Sequence, residues 1–132
     1  MLETISLIVS VASGILTALQ SAKDLRLSGI HKSSIYLFLD EMANLLDTVV
    51  VKFKAGEVPH GACEELRIYS QNMSLLHDVI PAEQVVDFSN KLLYAHNIEL
   101  LHMSVSKDPS QLIELEKAAA TFRAASRLMK LT

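Results

Sequence analysis

The apolar residues of this chain recur at intervals of three and four positions, in segments that breaking residues rarely interrupt. The chain has only four Gly and three Pro among its 132 residues, so a helix is forced to end in few places. Such spacing puts apolar side chains on one face of an α-helix and suits helices that cross at a shallow angle. An all-α protein is therefore predicted. The clearest stripes are Ile35, Phe38, Met42, Leu45, Val49 and Phe53, and then Leu112, Leu115, Ala119, Phe122, Ser126 and Met129.

Breaking and capping residues divide the chain into five predicted helices. Gly29 can adopt the left-handed conformation that ends the first helix, and Gly56 follows the second. Pro81 opens the fourth helix, where a missing N–H costs nothing, and Asp108 caps the fifth. Short connections make sequential helices antiparallel neighbours. We predict one domain, 1–132, folded as an antiparallel up-down bundle of four to five helices at about 2–27, 33–54, 62–77, 81–104 and 109–130.

Charge and cysteine content narrow the functional classes. The net charge is −3 and the basic residues are scattered, so phosphate neutralisation is not supported and we expect no nucleic-acid partner. The single cysteine, Cys63, cannot form an intramolecular disulfide, which is typical of a reducing compartment. The N-terminal residues Met-Leu-Glu lack the positively charged region of a secretory signal. We expect a cytoplasmic protein that binds no cofactor.

The first predicted helix contains nineteen consecutive uncharged residues, between Glu3 and Lys23. That length could span a bilayer, but small polar residues recur through it at helical spacing and dilute its apolar content. They form a stripe that, with a glycine beside it, would let another backbone approach closely. Leu7, Val11 and Ala18 widen the apolar arc, and surplus apolar surface usually marks an interface. The candidate interface residues are Ser6, Ser10, Ser13, Gly14 and Thr17.

Three interpretations of this helix follow. In the leading one, the protein is a non-enzymatic helical interaction module that binds a protein partner or itself, most simply as a homodimer. In the second, it is a membrane-active or membrane-attached protein that uses residues 4–22. The uncharged N-terminal helix ahead of a bundle is similar in general character to the HeLo-type membrane-perturbing domains. In the third, the polar stripe faces only water, as in ordinary amphipathic helices.

Two short motifs define a further alternative, a metal-dependent or nucleolytic enzyme. Glu99 and His102 have the Glu-x-x-His spacing of carboxylate-bridged di-metal bundles, which need two such motifs and two further glutamates on facing helices. Arg26 and His31 form an Arg-x-x-x-x-His string that resembles the motif of HEPN ribonucleases, where it lies in a late helix and works across a dimer. Here the string crosses a predicted helix end, and Leu27 replaces the family's polar residue. We predict no catalytic residues and no metal site, and the candidate ligands are Glu99 and His102.

Cys63 is the remaining reactive side chain. It lies in the first turn of the third predicted helix, where the helix dipole would lower its pKa, but Glu64 and Glu65 beside it act in the opposite direction. A nucleophilic site would also need a base in contact, an orienting group and an oxyanion site. We predict a small, buried core residue.

Overall fold

The computed structural model describes residues 4–21, 29–77, 79–92 and 98–131, and every regular element in these ranges is helical. They contain six α-helices and a 3-10 turn, Met73–Leu76, that follows the third α-helix. The prediction of an all-α fold is confirmed. The helices are α1 (Thr4–Ser21), α2 (Gly29–Lys54), α3 (His60–Ser70), α4 (Ala82–Leu92), α5 (Ile98–Lys107) and α6 (Gln111–Leu131).

Two predicted helix boundaries have the expected chemistry. After α2, Gly56 has φ +77°, and its N–H and that of the next residue donate to carbonyls in the last turn of the helix. This glycine cap satisfies carbonyls that have no partner within the helix. Before α6, the Asp108 carboxylate accepts hydrogen bonds from the Ser110 hydroxyl at 2.6 Å and from its backbone N–H at 3.1 Å. Hydrogen bonds to its carboxylate lower the pKa of Asp108; the bond from the Ser110 hydroxyl has the largest effect and the bond from the Gln111 amide the next largest.

The third predicted helix is shorter in the structure. It was predicted at 62–77, whereas the α-helix ends at Ser70 and the chain tightens into the 3-10 turn. The Asn72 side-chain amide donates to the Ile68 carbonyl at 3.0 Å. The backbone N–H groups of Gln71 and Asn72 donate to carbonyls three residues earlier in the chain. These bonds satisfy the last carbonyls of α3 and end it.

The fourth predicted helix and the start of the second are the remaining boundaries. The helix predicted at 81–104 is described as α4 and α5, and residues 93–97 between these two segments lie outside the described residues. Gly29 was predicted to cap the first helix but is the first residue of α2. Glycine is acceptable at either end of a helix, so the residue type alone did not decide between the two positions.

The two most extensive helix contacts are those of α6 with α2 and with α1. α6 is antiparallel to α2, since Glu116 near its start pairs with Lys54, the last residue of α2. It is parallel to α1, since Ile5 and Gln111, in the first turns of α1 and α6, line one small cavity. α1 and α2 each pack against α6 and barely contact one another, so the last helix separates them. The expectation that sequential helices are neighbours is wrong for this pair. α3 packs against α2, and α4 and α5 pack against α1.

Small buried residues let α6 approach both neighbours. Its inward face combines Phe122, which is fully buried, with alanines and with Ser126, whose hydroxyl donates to the Tyr36 carbonyl of α2 at 3.1 Å. The distance between helix axes depends on the side chains at the contact, so alanine and serine allow close packing. The buried residues of α6 are Leu115, Ala118, Ala119, Phe122, Ala125, Ser126 and Met129, and those of α1 are Ile5, Ile8, Val11, Ala12, Ile15 and Leu19.

Replacing Ala119 with leucine tests this packing. Ala119 is fully buried, so the Ala119→Leu variant should lose about 1–3 kcal/mol of unfolding free energy through overpacking. Urea unfolding at equilibrium measures the loss. The adjacent Ala120 is exposed, and Ala120→Leu should change the stability by less than about 0.5 kcal/mol. Equal effects of the two substitutions would contradict the tight packing of α6.

Candidate groove between α1 and α4

The predicted interface residues lie on the side of α1 that faces away from the core. Ser6, Ser10, Ser13 and Thr17 are exposed, and Gly14 is partly buried. Their exposure follows from helical spacing, because the isoleucines of α1 occupy the opposite face and are buried. We refer to the four exposed residues Ser6, Ser10, Ser13 and Thr17 as the hydroxyl stripe.

Three residues of the hydroxyl stripe line an open groove of about 630 Å³ between α1 and α4. The two helices run antiparallel here, since Lys91 at the end of α4 contacts Ser10, whereas Phe88, one turn earlier in α4, lies beside Gly14. The α1 wall consists of Ser10, Ser13, Gly14, Thr17, Ala18 and Ser21, and the opposite side of Val79, Pro81, Gln84, Asp87, Phe88 and Lys91.

Gly14 lets α4 come close to α1. A Cβ atom added at Gly14 would lie 2.6 Å from Cζ and 2.7 Å from Cε1 of Phe88, far inside van der Waals contact. The Phe88 ring, itself buried, therefore rests directly on the α1 backbone. The small residues of α1 permit another group to approach closely. At Gly14 that group is the Phe88 side chain of the same chain.

The groove lining carries no net formal charge. Asp87 and Lys91 pair at 3.1 Å, and the Lys91 ammonium also donates to the Ser10 hydroxyl at 3.2 Å. The remaining polar groups are hydroxyls and one amide, which both donate and accept hydrogen bonds. The residues that line the groove include no histidine to activate a serine. This chemistry suits the binding of an uncharged polar surface.

The apolar arc of α1 is largely covered within the chain. Val11 is fully buried, Ala18 packs against the core and Leu7 is partly buried. Among the described residues, the exposed large apolar side chains all lie outside α1: Leu37, Val51, Val58, Ile68, Leu75, Val86, Met103, Ile113 and Leu131. The surplus apolar surface predicted for the first helix is thus taken up by its contacts with α4, α5 and α6.

The sequence did not indicate the α4 side of the groove. Phe88 belongs to an apolar stripe with Val85 and Leu92, and such a stripe predicts only that the helix packs against something. Its contact with Gly14 depends on the order of helices around the bundle, which periodicity does not determine.

The metal and nuclease motifs fall mostly outside the described side chains. Arg26 and the side chains of His31 and Glu99 are not described. His102 is exposed on α5, and its ring centroid lies 6.2 Å from that of Phe53. No group of three or more His, Cys, Asp or Glu suited to a metal ion occurs among the described residues.

Cys63 is buried in the core, as predicted. Burial raises the pKa of its thiol from 9.0 to about 11, because the thiolate loses solvation there. Desolvation therefore determines the state of this side chain, and the thiol stays protonated at neutral pH. Cys63 therefore packs in the core as an unreactive side chain.

In the part of the chain that the structure describes, no helix is both long and apolar enough to cross a membrane. The apolar face of α1, on which the membrane alternative relies, is packed in the core. Comparison of the chain with protein-family models, with curated proteins and with solved structures finds no match.

The Gly14 contact can be tested with a double-mutant cycle. Gly14→Ala should destabilise the protein by about 1 kcal/mol, because overpacking against Phe88 outweighs the better helix propensity of alanine. In a Phe88→Leu background, which removes the outer ring atoms, Gly14→Ala should become neutral or stabilising. Urea unfolding of the four proteins measures the coupling. A Cβ at Gly61 would meet nothing within 4 Å, so Gly61→Ala should behave alike in both backgrounds. The absence of coupling at Gly14 would contradict the contact.

Cys63 gives a pH-dependent prediction. Because its pKa is raised in the folded state, its contribution to stability is complete below pH 9 and is lost as the pH rises from about 9 to about 11. Wild-type protein should therefore lose more unfolding free energy over this interval than Cys63→Ala. Urea unfolding at several pH values compares the two proteins. Parallel pH profiles, or rapid labelling of native Cys63 by a thiol reagent at pH 8, would contradict the buried neutral thiol.

Proposed function

We propose that this chain is a non-enzymatic helical protein-interaction module that self-associates as a homodimer through the hydroxyl stripe of α1. The observation that carries the proposal is the exposure of the stripe along one wall of an open groove whose lining has no net charge. Charged side chains cover most solvent-facing helix surfaces, whereas this one presents hydroxyls from Ser6 to Thr17.

A second copy of the stripe is the partner that its chemistry fits best. Hydroxyl groups donate and accept hydrogen bonds, so a row of them is complementary to the same row on another molecule. In a dimer whose two-fold axis is perpendicular to α1, the two α1 helices would run antiparallel, with Ser10 of each facing Ser13 of the other. The short side chains permit close backbone approach. The Lys91 ammonium that donates to Ser10 is already paired with Asp87, so it brings no unpaired charge to the contact.

The size of the surface limits the affinity. From Ser6 to Thr17 the stripe is about 17 Å long, at 1.5 Å per residue. One helix face of this length is a small contact compared with the interfaces of permanent dimers, which bury about 2,000 Å² or more. We expect a weak dimer, with a dissociation constant in the micromolar range or above. A cytoplasmic location belongs to the same proposal and is supported by the free, buried Cys63.

Sedimentation velocity over a range of concentrations tests the proposal. The wild-type protein should dimerise reversibly at tens to hundreds of micromolar, and Ser13→Glu should shift it to monomer by placing two carboxylates at the dimer axis. Thr48→Glu is the matched control, since Thr48 is an exposed hydroxyl residue on α2 and the change should leave association unaltered.

The melting temperatures of both variants should stay close to that of the wild type, because neither side chain is buried. A wild-type protein that is monomeric throughout the concentration range would overturn the proposal. Equal loss of association in both variants would show that the dimer uses another surface.

A further inference from the structure

The hydroxyl stripe of α1 has a concave surface on each side. The groove of about 630 Å³ lies toward α4, and a cavity of about 220 Å³ lies toward α6. Ser10 lines both of them. At about 100° per residue, Gly14 and Val9 lie about 70° to either side of the stripe, toward α4 and α6 respectively. The stripe is therefore flanked by a helix on both sides.

The space above the stripe has the width of one helix. Packed helices lie about 8–10 Å apart, so a helix resting on the stripe would be about 10–14 Å from the axes of α4 and α6. A helix with its side chains is about 10–12 Å in diameter, so it fits there and comes within reach of the side chains on both flanks. We call this space the helix seat. Its floor is the hydroxyl stripe, and its walls are the residues of α4 and α6 that line the groove and the cavity.

A second copy of α1 is the occupant that the helix seat fits. The intervals between successive residues of the stripe are four, three and four, so the row of hydroxyls is the same in both directions. A second stripe therefore places a hydroxyl opposite each hydroxyl of the first, whether the two helices run parallel or antiparallel. Among the α-helices in the described ranges, only α1 carries no charged residue. It would enter the seat without desolvating a charge of its own.

Gln84 stands on the α4 wall of the seat. Lys91 contacts Ser10, and Gln84 lies two turns earlier in α4, so in these antiparallel helices it is level with Thr17. Gln84 is exposed, and its side-chain amide forms no hydrogen bond within the part of the chain that the structure describes. The amide is thus available to a group that enters the seat.

Gln111 stands on the α6 wall, at the other end of the stripe. It lines the cavity that also contains Ser6. Its amide nitrogen has one contact, at 3.4 Å from the Asp108 carboxylate, which leaves its carbonyl oxygen to accept another hydrogen bond. The two glutamines therefore lie on opposite walls and at opposite ends of the seat.

We infer that Gln84 and Gln111 bind the hydroxyl stripe of a second copy, so that the interface extends from α1 onto α4 and α6. In an antiparallel dimer, Ser6 of the second copy lies level with Gln84, and Thr17 of the second copy lies level with Gln111. In a parallel dimer these two hydroxyls are exchanged. A hydroxyl both donates and accepts, so each glutamine has a partner in either arrangement. These contacts rest on the self-association proposed above.

Substitution of Gln84 tests the contact by affinity. Gln84→Ala should raise the dissociation constant of the dimer about 5- to 100-fold, because two equivalent hydrogen-bonded contacts are lost in each dimer. Gln71→Ala is the matched control, since Gln71 is an exposed glutamine at the end of α3, and it should leave the constant unchanged. Sedimentation velocity measures all three proteins, and thermal melts show that the variants remain folded.

Disulfide cross-linking tests the contact by proximity. All proteins carry Cys63→Ala, so that the introduced cysteine is the only thiol. Gln84→Cys protein is mixed with Ser6→Cys or Thr17→Cys protein at a concentration where the wild type dimerises, and is then mildly oxidised. A cross-link to position 6 is expected for the antiparallel dimer and one to position 17 for the parallel dimer, and either supports the inference. Gln71→Cys should cross-link to neither.

The outcomes separate this inference from the proposed function. If the wild type dimerises and Ser13→Glu is monomeric, an unchanged dissociation constant in Gln84→Ala, or the absence of both cross-links, would overturn the inference and leave the α1 dimer intact. A wild type that stays monomeric would overturn both.

Discussion

The packing of α6 against two helices at once determines where the rest of this bundle lies. A helix covered on two sides needs short side chains toward its neighbours, and Ala118, Ala119, Ala125 and Ser126 meet that requirement around Phe122. With α6 in this position, α1 places one flank on α6 and the other beside α4. The hydroxyl stripe is therefore the outer edge of a helix whose apolar residues are already covered.

This arrangement changes the argument for self-association. The sequence suggested a partner because the apolar arc of the first helix was wide, yet Val11 and Ala18 are covered within the chain. What remains exposed is polar and uncharged, and it lines a groove whose opposite wall comes from α4. The proposed dimer thus depends on hydrogen bonding and close packing of short side chains rather than on burial of leftover apolar surface.

Local chemistry was predictable from the sequence, and the order of helices was not. The Gly56 cap and the Asp108 cap each depend on a few adjacent residues, as do the buried faces of α1, α2 and α6. The end of α3 was missed because Asn72 completes a turn that no apolar spacing signals. The contact of Phe88 with Gly14 was missed because it joins segments far apart in sequence. Apolar periodicity predicts which face of a helix is buried, but it does not predict which other helix covers that face.

The adjacency of the first and last helices affects how the chain reaches its fold. α1 is buried largely against α6, and α2 to α5 lie between them in the sequence. The isoleucines of α1 are fully covered only once α6 has packed against them. Contacts of this long range raise the contact order and slow folding relative to bundles of sequential hairpins. The burial of α1 therefore waits for the folding of a segment that lies far along the chain.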